Sequence, residues 1–142
     1  SAFENCTELQ DIEIPTNSEL QIIGKFAFSN TSIQNITIPS ATKYIKEYAF
    51  NECLKLSIID FSSESNLESI MEYAFYCTSI KSIIIPVSVK IIEEYAFRIN
   101  SLQKFEISKN SKLETIFESA LPETLIDKIQ FPPYTHIVYQ YY

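Results

Sequence analysis

A single glycine, Gly24, in 142 residues sets the first limit on this chain. Glycine turns the backbone through positive φ at no steric cost. With one of them the chain cannot build phosphate-cradling glycine loops, and its corners are expected to fall on Pro, Asn, Ser and Thr. Tryptophan is absent, and histidine occurs once, at His136 in the segment Pro132-Pro133-Tyr134-Thr135-His136. Nucleophilic catalysis needs a base held against its nucleophile, and a lone histidine in a terminal, proline-bounded segment does not supply one. Basic residues are scarce too: 11 against 18 acidic ones, for a formal charge of -7. Nucleic-acid recognition rests on clustered Lys and Arg, so the balance argues against that partner. No apolar run approaches the roughly 20 residues of a bilayer span, so no membrane insertion is expected of this segment. No charged-then-apolar leader opens it either, and Ser1-Ala2-Phe3 begins in mid-pattern, as a fragment or processed product would.

What the chain has in abundance is repetition. The pair Ala-Phe recurs at Ala2-Phe3, Ala27-Phe28, Ala49-Phe50, Ala74-Phe75 and Ala96-Phe97, with Ala120-Leu121 as a degenerate sixth copy. After each pair comes an apolar triad spaced i, i+3, i+5: Leu9/Ile12/Ile14, Ile33/Ile36/Ile38, Leu56/Ile59/Phe61, Ile80/Ile83/Ile85, Leu102/Phe105/Ile107 and Ile126/Ile129/Phe131. The last two members of each triad read as the inward side of a short strand, with the residues between them outward. Such a strand cannot bury itself alone, but copies laid side by side as a parallel sheet can. Stacking then brings Phe3, Phe28, Phe50, Phe75 and Phe97 into one aromatic spine, beside alanines where only a small side chain fits. A second apolar set (Leu20/Ile23/Phe26, Ile45/Tyr48, Leu67/Ile70/Tyr73, Val89/Ile92/Tyr95, Leu113/Ile116) has spacings of three that suit a helical or 3₁₀ return.

The strand is followed by Pro15, Pro39, Pro86 and Pro132 in four copies, and by Ser62 and Ser108 in the third and fifth. Proline has no N–H for a ladder and marks where pairing stops. Phe28 to Phe75 and Phe50 to Phe97 both span 47 residues, so the unit is expected to be a pair of repeats with longer and shorter return loops in alternation.

The phrase Ala2-Phe3-Glu4-Asn5-Cys6-Thr7-Glu8-Leu9-Gln10-Asp11-Ile12-Glu13-Ile14-Pro15, with Ile23-Gly24 ahead of the next Ala-Phe, resembles the BspA-type leucine-rich repeat. The resemblance covers residues 1 to 132; it departs from the pattern at the glycine, kept only as Gly24, and at the cysteine, kept in three of six copies. It implies an α/β-type repeat solenoid: a leucine-rich-repeat stack of about six 22–25-residue repeats with one parallel β-sheet face and short helical, 3₁₀ or loop returns. Residues 1–142 then form one solenoid, with 132–142 as its C-terminal cap, where Tyr134, Ile137, Val138, Tyr139, Tyr141 and Tyr142 cover the last repeat. Proteins similar to this occur on bacterial and protozoan surfaces, where some bind host proteins or other cells. The resemblance therefore implies a cell-surface or secreted location and a protein partner.

Cys6, Cys53 and Cys77 each stand three residues before a triad, without the Cys-x-x-Cys or Cys/His clustering of a metal site. No metal or other cofactor is expected, and the thiols read as free, half-buried members of a column. Cys53 and Cys77 could otherwise approach for a disulfide. The column Thr7, Thr31, Thr78, Thr124 reads as hydroxyls tying down turn backbone. The sequons at Asn5, Asn30 and Asn35 permit glycosylation of a secreted chain.

The outward strand positions are where a solenoid presents its ligand surface. One column runs Asp11, Asn35, Ile58, Ser82, Lys104, Lys128, and its neighbour Glu13, Thr37, Asp60, Ile84, Glu106, Gln130. Asp11, Glu13, Ile58, Asp60, Ile84, Lys104 and Glu106 are the candidate protein-binding face. Ile58 and Ile84 give it an apolar centre with a polar rim, although two β-branched residues also simply favour a strand. The chain is thus expected to be a non-catalytic, adhesin-like protein-interaction module, or alternatively a structural scaffold that self-associates.

Overall fold

In the computed structural model, which describes residues 1–140, each repeat is one turn of a solenoid. The triads form strands in four copies: β2 (Asn35–Ile38), β4 (Ile58–Phe61), β6 (Ser82–Ile85) and β8 (Lys104–Ile107). They alternate as the pattern predicts. Ile36, Ile38, Ile59, Ile83, Ile85 and Phe105 are buried while Asn35, Thr37, Ile58, Ser82 and Ile84 face outward.

The returns differ from expectation. They are short strands rather than helical turns: β1 (Ile22–Ile23), β3 (Tyr44–Ile45), β5 (Ser69–Ile70), β7 (Ile91–Ile92), β9 (Thr115–Phe117) and β10 (His136–Val138). All six join in one parallel sheet in the order β1-β3-β5-β7-β9-β10. Ile23, Ile45, Ile70, Ile92 and Ile116 are its inward, buried positions. A return of so few residues cannot repay the nucleation of a helix. Extended, it gives its peptide groups to the neighbouring copy, as where the Lys46, Met71 and Glu93 N–H groups donate to Ile23, Ile45 and Ile70 at 2.9, 3.0 and 2.9 Å. Among the described residues helix is confined to the end of the stack, at the 3₁₀ turn Glu118–Ala120 and α1 (Glu123–Ile126).

Between the two strand layers runs the phenylalanine spine. Phe3, Phe28, Phe50, Phe75 and Phe97 stack with centroids 5.4, 5.3, 5.0 and 5.2 Å apart. Each ring's own N–H reaches the alanine carbonyl of the next copy, as from Phe50 to Ala74 at 2.7 Å and from Phe75 to Ala96 at 2.9 Å. Ala49, Ala74 and Ala96 are wholly buried, so a larger side chain there would push the copies apart.

The corners also differ from expectation. Asn5 and Asn30 do take positive φ, but so do Glu52 and Cys77, and so do Phe26, Tyr48, Tyr73 and Tyr95 with φ of 58, 60, 56 and 57°. Left-handed backbone on an aromatic residue costs about 1–2 kcal/mol. The four rings offset this by stacking in a second ladder, with centroids 4.7, 4.9 and 4.8 Å apart. Gly24 does not have positive φ, and an added Cβ there would meet nothing within 4 Å.

The outward face is not one sheet. β2 pairs with β4, and β6 with β8, but the pairs are separate two-stranded sheets. The break follows the strand-end residue. Ser62 donates its N–H to Ile38 O at 3.1 Å and its hydroxyl to the same oxygen at 3.0 Å, which carries the ladder from β2 to β4. Pro86 holds the same position after β6 and has no N–H to give. Loop length alternates with it: residues 39–43 and 86–90 follow β2 and β6, against the longer 62–68 and 108–114 after β4 and β8.

Candidate functional site

Three grooves open on this face, one at each junction whose second copy carries proline. The central one, of about 540 Å³, separates β4 from β6. Few Cα pairs between β4 and β6 come within 8 Å, although β3, β5 and β7 pair without interruption on the opposite side. The opening is therefore a wedge confined to one face. Ile58 and Ile84, 54% and 66% exposed, stand on its two lips with Val87 beside them. Serines rim it, and Asp60 is the one charged residue in its lining.

The flanking grooves carry more charge. One, of about 670 Å³, is lined by Asp11, Glu13, Asn17, Asn35 and Thr37 ahead of Pro39. The other, of about 580 Å³, is lined by Glu106, Lys109, Lys128 and Gln130 ahead of Pro132. Behind each opening a hydroxyl straps the copies together. Thr42 donates to Leu20 O at 2.7 Å, Ser88 to Leu67 O at 2.6 Å and Thr135 to Leu113 O at 2.8 Å.

All seven candidate residues are exposed, but they do not share a continuous surface. Asp11 and Glu13 line one groove, Ile58, Asp60 and Ile84 the next, and Glu106 the third. Lys104 lies outside the three and forms an exposed ion pair with Glu106 at 3.5 Å, a contact of little energetic weight. Ile58 and Ile84 stand on opposite sides of a gap instead of lying side by side on one sheet. Val87 and the serine rim were missed. Their signal was the Pro/Ser alternation, which marks where strands part.

The thiol column also shifts. Phe to triad takes six residues in the first and third copies and five in the second and fourth, so Cys53 stacks on Thr31, with Sγ and Oγ1 3.4 Å apart, and not on Cys77. Cys53 is fully buried and donates to Phe28 O at 3.0 Å, whereas Cys77 takes a left-handed corner. Burial raises the Cys53 pKa, against the hydrogen bond from Thr31. All three thiols are unpaired. Thr78 plays the expected structural part, donating to Phe75 O at 3.0 Å.

At the end of the stack β10 extends the return sheet, with His136 N–H on Glu114 O at 2.8 Å and Ile137 packed against the core. The side chain of His136 is exposed at this edge. Tyr134 donates to Ser111 O and Gln140 to a Glu94 carboxylate oxygen. Tyr141 and Tyr142 lie outside the described residues. Among the described residues no His, Cys, Asp and Glu cluster could hold a metal ion, and no helix is long and apolar enough to cross a membrane.

The fold has known counterparts. The pneumococcal vaccine antigen PcpA superposes with a TM-score of 0.74 at 26% identity, over 97% of this chain and 38% of that one. A leucine-rich repeat protein from Bacteroides capillosus ATCC 29799 gives a TM-score of 0.57 at 33% identity, over 63% of this chain and 64% of its own. The chain thus spans less than two thirds of either. No curated protein matches it. Residues 1–65 and 21–142 match the BspA-type leucine-rich repeat region in six copies, with the spine, triads and parallel turns as described, and the chain belongs to that family.

Proposed function

We propose that the chain is a non-catalytic protein-interaction module of a surface or secreted repeat protein, and that it takes its partner on the outward strand face, centred on Ile58 and Ile84. One observation carries this reading. Two isoleucines more than half exposed line a groove whose rim is hydroxyl-rich and carries Asp60, and an apolar centre within a polar rim is the layout of an interaction hot spot. The likeness to a pneumococcal vaccine antigen supports an accessible location, since an antigen must be reached by antibody.

The test is a double variant, Ile58→Asp with Ile84→Asp, which leaves the inward residues untouched. Affinity for a protein captured from cell-surface extracts should fall at least about tenfold, or ~1.4 kcal/mol. Charge changes at Ser63 and Asn110, on the return loops, should leave it unaltered. The opposite pattern would move the site off the strand face. A second reading, self-association, draws on the gradient from Asp11 and Glu13 at one end to Lys104, Lys109 and Lys128 at the other, which two antiparallel copies would match. Loss of concentration-dependent sedimentation in the same double variant would favour it.

A further inference from the structure

We propose that the gap between β4 and β6 accepts an extended segment of the partner protein as an added β-strand, hydrogen-bonded to the open peptide edges of the two strand pairs. The proposal rests on the reading of the outward face as the binding surface and specifies what enters it.

The open edges follow from the register. Ile58 N–H donates to Gln34 O at 3.4 Å and Ser62 N–H to Ile38 O at 3.1 Å, so alternate residues of β4 turn their peptides to β2. The residues between them, Ile59 and Phe61, turn N–H and C=O to the other edge. Across the gap, Lys81 O accepts from Gln103 and Lys104 at 2.8 and 3.1 Å. Lys81, Ile83 and Ile85 thus face β8, leaving Ser82 and Ile84 turned toward β4. Among the described residues no hydrogen bond joins the two edges. Peptide groups without a partner are costly to remove from water, so these edges favour an incoming strand.

A strand lying between two others needs its neighbours about 9.5 Å apart, twice the ordinary strand spacing. Few β4–β6 Cα pairs come within 8 Å, but ahead of the strands the copies close at the Ser79 N–H to Leu56 O bond of 2.8 Å, so the incoming segment is held to the open stretch from Ile58 to Ser62. Pro86 keeps the gap from closing on itself, because it has no N–H for the Phe61 carbonyl.

The lining defines the occupant's chemistry. Ile58, Ile84 and Val87 favour β-branched apolar side chains, the serine rim favours hydroxyls in alternation with them, and Asp60 favours one Lys or Arg. Backbone bonds would supply affinity and these side chains the selectivity, as in other strand-addition complexes.

The probe is a capped hexapeptide of alternating Val and Thr with one central Lys, titrated against the whole chain. Its binding should slow amide hydrogen exchange at Ile59, Phe61, Ser82 and Ile84 by about tenfold or more, since exchange reports opening of the protected edge. N-methylation of the peptide at alternate amides, in either frame, should abolish binding. Pro86→Ser should weaken it by restoring the missing ladder donor, with circular dichroism checking that the variant folds. No binding at millimolar peptide, binding without protection of those four amides, or binding indifferent to N-methylation would each overturn strand addition. So would protection of the same amides by self-association alone, which would make the occupant a second copy. If the peptide fails while Ile58→Asp/Ile84→Asp still weakens a surface partner, strand addition falls and the binding face stands. If the double variant leaves that partner's affinity intact, the binding face itself falls.

Discussion

The two strand layers of this solenoid are built from the same repeats and end differently. On the return side six strands pair without a break. On the outward side they pair two by two and stop. The return strands contain no proline, and each gives its peptides to the next copy. The outward strands end in Ser or Pro by turns, and each pairing with the preceding copy follows the serine. At Ser62 the difference is an N–H and a hydroxyl that both reach Ile38 O; after β8 the Ser108 hydroxyl instead accepts from Asn110 N–H, so serine at this register permits the pairing without always bonding across it. A sheet with a 47-residue period then carries grooves with that period.

The spine joining the layers is the first place to break the comparison. Phe75→Ala should cost about 3–5 kcal/mol, because a wholly buried ring between two stacked neighbours leaves a cavity the copies cannot close. Ala74→Leu should also destabilise, by about 1–3 kcal/mol, through overpacking. Both should weaken the two layers equally. Urea midpoints that barely move for either would contradict the stacked column.

A smaller change should convert one kind of junction into the other. Ser62→Pro removes the N–H and hydroxyl that Ile38 O accepts. The loss is expected at roughly 1–2 kcal/mol, with a new opening between β2 and β4 read as faster amide exchange along both strands. Unchanged exchange there would mean that loop length, not the terminal residue, decides where strands part.

The smallest expected effect lies on the continuous side. Glu93 follows β7 and is half buried. Burial raises its pKa above the usual 4.5, the Glu72 backbone hydrogen bond opposes this, and the charges of Glu72, Glu47 and Glu94 add to it. The folded state therefore holds this proton more tightly than the unfolded one. Its contribution is favourable at low pH and is lost as pH rises through the window above 4.5. Glu93→Gln should be more stable than the parent at neutral pH, and the advantage should shrink as pH falls through that window. Denaturation curves across pH would show it, and a constant difference would rule the titration out.

The periodic features were legible in the sequence because periodicity survives any detail of geometry. Ala-Phe at near-constant intervals dictates a stack, and the i+3, i+5 members dictate which side of each strand is buried. The returns misled because Leu67/Ile70/Tyr73 has the spacing of a helical turn, while in the fold Ile70 is strand, Tyr73 is a left-handed corner and Leu67 lies in a loop. Counting the cysteine column back from the triad placed Cys77 with Cys53, whereas the corner that carries it is registered on the phenylalanine.

By itself, then, the sequence determined the repeat, the spine, the inward faces and the family, since each depends on the identity of residues at a fixed period. It also held the Pro/Ser alternation, but not its consequence. Whether a missing N–H opens a groove depends on which carbonyl stands opposite, and that is a property of the assembled neighbours. The splitting of the outward face, the separation of Ile58 from Ile84 across a wedge, and the aromatic corners that replace glycine were decided only by the tertiary structure, because each is a relation between copies rather than within one.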